Sequence, residues 1–173
     1  MYMYYYDSPM GVMKLCADEE SLLGVWFDEE WIAEASLDIE AIENLHDNKH
    51  ISDAVCWLDE YFAGNVPSFT PKLKLQGSEF RKTVSEIMLK IPYGELSTYG
   101  EIAREAMIRL GKERMSAQAV GGAVGSNEFS IIVPCHRVVG KGGKLTGYAG
   151  GMDKKVYLLR HEGVDFEGHN LRI

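Results

Sequence analysis

Ile131-Ile132-Val133-Pro134-Cys135-His136-Arg137-Val138-Val139 sets one cysteine and one histidine between two short apolar runs. The β-branched triplet Ile131 to Val133 reads as a buried strand, and Pro134, with no backbone N–H to donate, should end its ladder. The thiol is then expected at a strand's end. A free cysteine with a pKa near ~8.5 is only about 3% thiolate at pH 7, and a neighbouring imidazole can raise that fraction. Full ionisation would gain only ~1.5 decades in rate, so most of any rate must come from positioning. Neighbours on a strand point to opposite faces, so thiol and imidazole would communicate only through a turn or a bridging solvent molecule. The same pair is also compatible with a buried structural cysteine beside a surface histidine.

Working outward, Ser78 caps a helix expected through Lys90, with Phe80, Val84, Ile87 and Met88 on one face. Pro92-Tyr93-Gly94 breaks the chain. Thr98 and Glu101 have capping-box spacing before a helix that buries Ile102, Ala103, Ala106, Met107 and Leu110 and stops at Gly111. Ser116 caps the next segment, Ala117 to Val124, and helix, short turn, helix is the outline of a helix-turn-helix. Gly121 and Gly122 each cost that helix roughly 1 kcal/mol relative to alanine. Close packing on the protein's own strand 131–133 or close approach of a nucleic-acid groove would account for them equally. Beyond Val139, Gly140 to Lys144 reads as a hairpin-like turn. A last helix runs from Asp153 to Glu162 and is stopped by Gly163.

In the first half, Tyr2 to Tyr6, Val12 to Ala17 and Leu22 to Phe27 read as three strands of an antiparallel meander. Residues 37–45 are expected as a short helix, and Ser52 as the cap of a clearer one with Ala54, Val55, Leu58, Tyr61 and Phe62 on its apolar face and Gly64 as its stop. Pro67 to Gly77 is the connector to the second half.

Composition bounds the class. At 173 residues and 46% hydrophobic, the chain suffices for one domain or two small ones. Cys16, Cys56 and Cys135 are too few and too scattered for a disulfide framework, and no CxxC spacing suggests zinc. With no signal-peptide pattern and no run of 18 apolar residues, a cytoplasmic protein without a membrane partner is expected. The net charge of −8 hides an asymmetry: residues 1–75 carry 4 Lys+Arg against 15 Asp+Glu, residues 76–173 carry 14 against 11. Only the second half is suited to meet an anion.

Pro134-Cys135-His136-Arg137-Val138, with Ile-Ile-Val before it and Val139 after, resembles the active-site signature of the O6-alkylguanine-DNA alkyltransferases, the methylated-DNA–protein-cysteine methyltransferases. Further likenesses follow in order: Asp7-Ser8-Pro9-Met10-Gly11, Ile91-Pro92-Tyr93-Gly94-Glu95, Tyr99-Gly100-Glu101-Ile102-Ala103, Ser116 to Ala123, Gly147-Tyr148-Ala149-Gly150-Gly151 and His161-Glu162-Gly163. The likeness is strong over 77–163 and weak over the first 75 residues.

This resemblance implies an α+β protein: an N-terminal ribonuclease H-like domain over 1–76, with a small antiparallel sheet and helices, and a mostly helical, winged-helix-like domain over 77–173. It implies a single-turnover DNA repair reaction, without cofactor or metal, in which the alkyl group on O6 of guanine, or on O4 of thymine, passes to Cys135 and stays there. His136 would take the thiol proton through a water, Glu162 would orient that histidine, Tyr99 would donate to the departing guanine with Lys155 assisting, and Asn127 would pin the helix-to-strand loop. Val138, Tyr148 and Ala149 would wall or bond the guanine pocket. The expected partner is double-stranded DNA with the target nucleotide rotated out. The minor groove, ~6 Å wide, would receive the helix bearing Ala117, Gln118, Ala119, Gly121 and Gly122, and Arg114 and Lys141 would contact the DNA. A monomer is expected.

Two departures stand out. Gln118 occupies the position where many members insert an arginine into the base stack, and Ser85 follows Val84 where many carry tryptophan. Rival readings are a lesion-binding protein that does not transfer the group, and a Cys-His hydrolase that turns over an acyl-enzyme.

Overall fold

Tyr2–Ser8 (β1), Gly11–Ala17 (β2) and Leu22–Phe27 (β3) form the expected antiparallel meander in the computed structural model, which describes residues 1–27 and 40–173. Met3, Met13, Leu15, Val25 and Phe27 are buried along it, and Gly11 takes the left-handed φ of +105° at the β1–β2 turn. Of the helix expected over 37–45, residues 37–39 lie outside the described residues. The rest is a strand, Glu40–Ala41 (β4), followed by a single 3₁₀ turn at Leu45–Asp47. β4 pairs parallel to β1, giving the sheet order β3-β2-β1-β4.

The helix Lys49–Phe62 (α1) starts four residues earlier than expected, because Asn48 caps it in place of Ser52. An asparagine amide can accept and donate at once. Its Oδ1 takes the His50 and Ile51 N–H groups at 3.0 and 3.1 Å, and its Nδ2 donates to the Asp18 carbonyl at 3.0 Å. Such a cap contributes about 1 kcal/mol. Ile51, Ala54, Val55, Trp57, Leu58 and Tyr61 are the helix's buried residues, and Gly64 ends it at φ +85°. The outer edge of β3 is paired as well. Leu22 exchanges bonds with Lys72 and Lys74, and Val25 with Glu128 and Ser130, so no long strand edge is left open there. Residues 1–74 with 128–130 thus make one compact unit, and 75–127 with 131–173 the other.

Glu79–Met88 (α2), Tyr99–Arg109 (α3) and Ala117–Gly125 (α4) are capped by Ser78, Thr98 and Ser116, and Glu101 completes the capping box. They bury Val84, Ile87, Met88, Ile102, Ala103, Ala106, Val120, Ala123 and Val124, and α3 and α4 give the helix-turn-helix outline. Packing does not require the α4 glycines. A Cβ on Gly122 would meet nothing within 4 Å, and one on Gly121 only a Tyr99 ring carbon at 4.0 Å.

Ile131 to Val133 is a turn, not the expected strand. The Val133 carbonyl is occupied by the Cys135 N–H at 2.8 Å and by Asn127 Nδ2 at 2.9 Å, so it is committed to local bonds. Ile131 sits at φ +72°, a costly conformation for a β-branched residue, while its side chain is fully buried. Cys135 accordingly opens a 3₁₀ turn, Cys135–Arg137, rather than ending a strand. That turn runs into Val138–Val139 (β6), which pairs parallel to Ser97–Thr98 (β5), the two residues before α3.

Residues 140–144 are not a hairpin either. A 3₁₀ turn, Lys141–Gly143, leads to a parallel bridge between Lys144 and Arg172. The C-terminal tail therefore grips this loop: the Leu145 N–H donates to the Arg172 carbonyl at 2.7 Å and the Arg172 N–H to the Gly143 carbonyl at 3.1 Å. Beneath it Val139, Leu145, Leu159 and Val164 form an apolar cluster with Phe166 and Leu171. Met152–His161 (α5) ends at Glu162, and Gly163 at φ +75° turns the chain away.

Candidate active site

Cys135 is buried, at 7% exposure, at the start of its 3₁₀ turn. Asn127, just past the end of α4, directs one amide nitrogen at two acceptors, the Val133 carbonyl at 2.9 Å and the Cys135 sulfur at 3.1 Å. The same side chain holds the turn and aims a donor at the sulfur. A donor there favours the thiolate over the thiol.

The next residue turns inward. His136 is wholly buried, with Nε2 2.7 Å from Glu162 Oε1. Glu162 is buried at the C-terminus of α5 and accepts three further bonds: Arg137 Nε at 2.8 Å and the Gly94 N–H at 3.0 Å on Oε2, and Arg137 Nη2 at 2.9 Å on Oε1. Burial alone would raise its pKa. The bonds from His136 and Arg137 outweigh burial and hold the carboxyl well below the usual range, so Glu162 is ionised.

Burial pushes His136 down, against the pull of Glu162, and favours a neutral ring. An ionised Glu162 needs a donor, so Nε2 carries the hydrogen and Nδ1 holds a lone pair. Nδ1 is buried without a hydrogen-bond partner. Such an orphaned acceptor is costly, and it belongs to the residue next to the cysteine in sequence.

Lys155, from α5, is fully buried, and Nζ donates to the Val138 carbonyl at 2.7 Å and the Thr146 carbonyl at 3.0 Å. Desolvation lowers its pKa to about 8, opposed by Cys135. Tyr99, first residue of α3, accepts a bond from Thr146 Oγ1 at 3.0 Å. The second unit therefore contains an Asn127–Cys135 pair, a His136–Glu162–Arg137 cluster beside it in sequence, and a network of Tyr99, Thr146, Lys155 and Val138. Val138 joins them through the chain: its side chain is buried and its carbonyl holds Lys155. Tyr148 is half-buried and Ala149 exposed on the loop before α5.

Ala117, Gln118, Ala119 and Gly122 lie exposed on α4, with Gly121 half-buried beside them. Arg114, in the turn before α4, and Lys141, after β6, are exposed cations. Among the described residues, no three His, Cys, Asp or Glu side chains gather to hold a metal ion. Cys16, Cys56 and Cys135 form no disulfide.

Arg137, Gly94 and Thr146 were not assigned roles from sequence. Arg137 had a signal. An arginine inside an apolar segment must be paired if buried, and its partner lies 25 residues on; Nη1 also donates to the Ile91 carbonyl at 2.6 Å, and the guanidinium lies 5.8 Å from the Tyr93 ring centroid. For the Gly94 N–H and the Thr146 hydroxyl there was none, since both act through tertiary contacts.

Known proteins resemble the chain along most of its length. Residues 1–75 match the family described as 6-O-methylguanine DNA methyltransferase, ribonuclease-like domain, and residues 79–164 match its DNA binding domain. A protein of Methanosarcina acetivorans named methylated-DNA–protein-cysteine methyltransferase is 43% identical over 164 residues, 94% of this chain and 99% of that one. One of the same name from Haemophilus influenzae is 36% identical, over 96% of this chain and 88% of its own. Among solved structures, the Mycobacterium tuberculosis OGT in complex with DNA superposes with a TM-score of 0.79 at 37% identity, covering 94% of this chain and 92% of that one. Matched along nearly its whole length, the chain belongs to the 6-O-methylguanine DNA methyltransferase family.

Proposed function

We infer that this protein repairs DNA by moving the alkyl group of O6-alkylguanine onto its own Cys135, once per molecule. The relatives' names as methylated-DNA–protein-cysteine methyltransferases support the activity. The observation that carries the chemistry is the Asn127 amide 3.1 Å from the Cys135 sulfur, next in sequence to a buried His136 whose Nδ1 lone pair is unused.

The roles follow from charge. His136 Nδ1 takes the thiol proton through a water, and Glu162 stabilises the resulting imidazolium, with Arg137 and Gly94 preventing the carboxylate from turning away. The sulfur lone pair forms the S–C bond while the C–O6 bond breaks. Its electron pair passes into the purine, which takes a proton from Tyr99 as Lys155 offsets the growing negative charge. Exchange of the His136 and Tyr99 protons with solvent leaves guanine and a thioether. The thioether has no group that water readily expels, so the acceptor is spent. O4-alkylthymine fits the same displacement.

The small residues of α4, exposed Ala117, Ala119 and Gly122 with half-buried Gly121, suit the minor groove, with Gln118 placed to fill the vacated stack. Arg114 and Lys141 bind phosphates, and Val138, Tyr148 and Ala149 border the everted base. In this reading residues 1–76 and 77–173 are the two domains, the second binding DNA and accepting the alkyl group, and the protein acts as a cytoplasmic monomer. Among the described residues, no helix is long and apolar enough to cross a membrane.

The test is to incubate the protein with excess duplex containing O6-methylguanine and weigh it intact. One added methyl, located on Cys135 and absent from Cys135→Ala, is expected. Continued release of methyl groups, or an unmodified protein that still holds the duplex, would favour the hydrolase or the lesion binder.

A further inference from the structure

We propose that Thr146 is a positioning residue for alkyl transfer: its hydroxyl, seated on the Tyr99 oxygen, turns the Tyr99 proton away from the loop and toward the departing base. The inference rests on the reading of Tyr99 as the proton donor to guanine.

A phenol has one proton, which lies in the ring plane in either of two directions. Thr146 Oγ1 donates to Tyr99 at 3.0 Å and takes up one acceptor direction of that oxygen. The Tyr99 proton must then point elsewhere. An accepted bond also polarises the phenolic O–H, making it a stronger donor.

Thr146 is fixed on several sides. Its carbonyl takes the Lys155 ammonium at 3.0 Å, and the preceding Leu145 is 3% exposed in the apolar cluster, its N–H bonded to the Arg172 carbonyl. Its methyl faces Gly140, where even an added Cβ would come within 3.5 Å. A β-branched side chain so confined has little χ1 freedom, so hydroxyl and methyl cannot readily exchange places. On the opposite side the capping box of Thr98 and Glu101 holds the backbone of Tyr99. One residue thus braces both Tyr99 and Lys155, the two groups expected to meet the leaving purine.

The experiment measures single-turnover methyl transfer at saturating O6-methylguanine duplex for wild type, Thr146→Val, Thr146→Ser, Tyr99→Phe and the Thr146→Val/Tyr99→Phe pair. Valine keeps the shape and removes the donor, so transfer should slow about tenfold, less than the roughly 10²–10⁴-fold a general acid contributes, because the phenol itself remains. DNA affinity should stay within about twofold, and Thr146→Ser should recover most of the rate. In the Tyr99→Phe background Thr146→Val should add nothing, because the phenol it directs is gone; a purely structural loss would persist there. A wild-type rate in Thr146→Val, or an undiminished loss in the pair, overturns the proposal. Should Thr146→Val not fold, Thr146→Ala against Thr146→Ser carries the same comparison. Failure of the wild type to transfer methyl at all would instead sink the functional reading.

Discussion

Glu162 is the residue on which the site's ionisation turns. Its two oxygens accept four bonds, from His136, twice from Arg137 and from the Gly94 N–H. Arg137 therefore holds the carboxylate ionised and His136 keeps one tautomer. The pH dependence of stability follows. The folded pKa of His136 lies below its ordinary 6.5, so below that pH the unfolded chain binds a proton that the folded chain resists. Stability from this residue is present above pH 6.5 and is lost as pH falls through its folded value. Glu162 is also depressed, so it adds loss in the same direction as pH falls below its ordinary 4.5. Urea unfolding between pH 7.5 and 5 should show stability falling with acid, and His136→Gln should flatten the part just below pH 6.5. Equal slopes in the two proteins would refute a neutral, resisting His136.

Two elements carry predictions of their own. In α4 Gly122 faces open space, and Gln118 is exposed at the position where the resemblance places an inserted arginine. A neutral amide cannot stack as a planar guanidinium does or offer charge to the backbone. Gln118→Arg should therefore tighten DNA binding and speed transfer severalfold, measured by base-flipping fluorescence and single-turnover kinetics; no change in either would mean eversion does not depend on this side chain. The loop between β6 and α5 is held by the tail at Gly143. A Cβ there would stand 2.5 Å from the carbonyl oxygens of His169 and Asn170, at a φ of +80° that L side chains rarely adopt. Gly143→Ala should cost on the order of 2 kcal/mol in denaturant unfolding. Transfer should also slow, because Thr146 rides on the same loop; unchanged stability would show that the tail yields freely.

For the whole molecule, the balance of charge is the main determinant of encounter. Residues 76–173 carry a surplus of 3 positive charges against the net −8 of the full chain, so attraction to DNA must be local to the second half. Phosphate contacts of this kind act on all sequences alike and weaken with salt. Arg114→Gln should lower affinity about equally for lesion-bearing and plain duplex, and reduce the slope of log affinity against log salt by about one. A loss confined to the lesion duplex would place Arg114 at the base rather than the backbone.

The caps of α2, α3 and α4, the strands β1 to β3, the order of those helices and the Pro-Cys-His-Arg signature were legible in the sequence, because each depends on residues within a turn or two of one another. Glu162 and Lys155 were named only through the resemblance, and nothing local linked Glu162 to Arg137, 25 positions earlier. The turn at 131–133 was misread as a strand because β-branched residues signal burial as readily as extension. Only the folded chain brings Asn127 to the Val133 carbonyl and decides between them. The Asn48 cap, the return of Glu128 to Ser130 to β3 and the grip of Arg172 on Gly143 likewise lay beyond the sequence. Each is a hydrogen bond between distant segments, and packing, not local propensity, selects its partner.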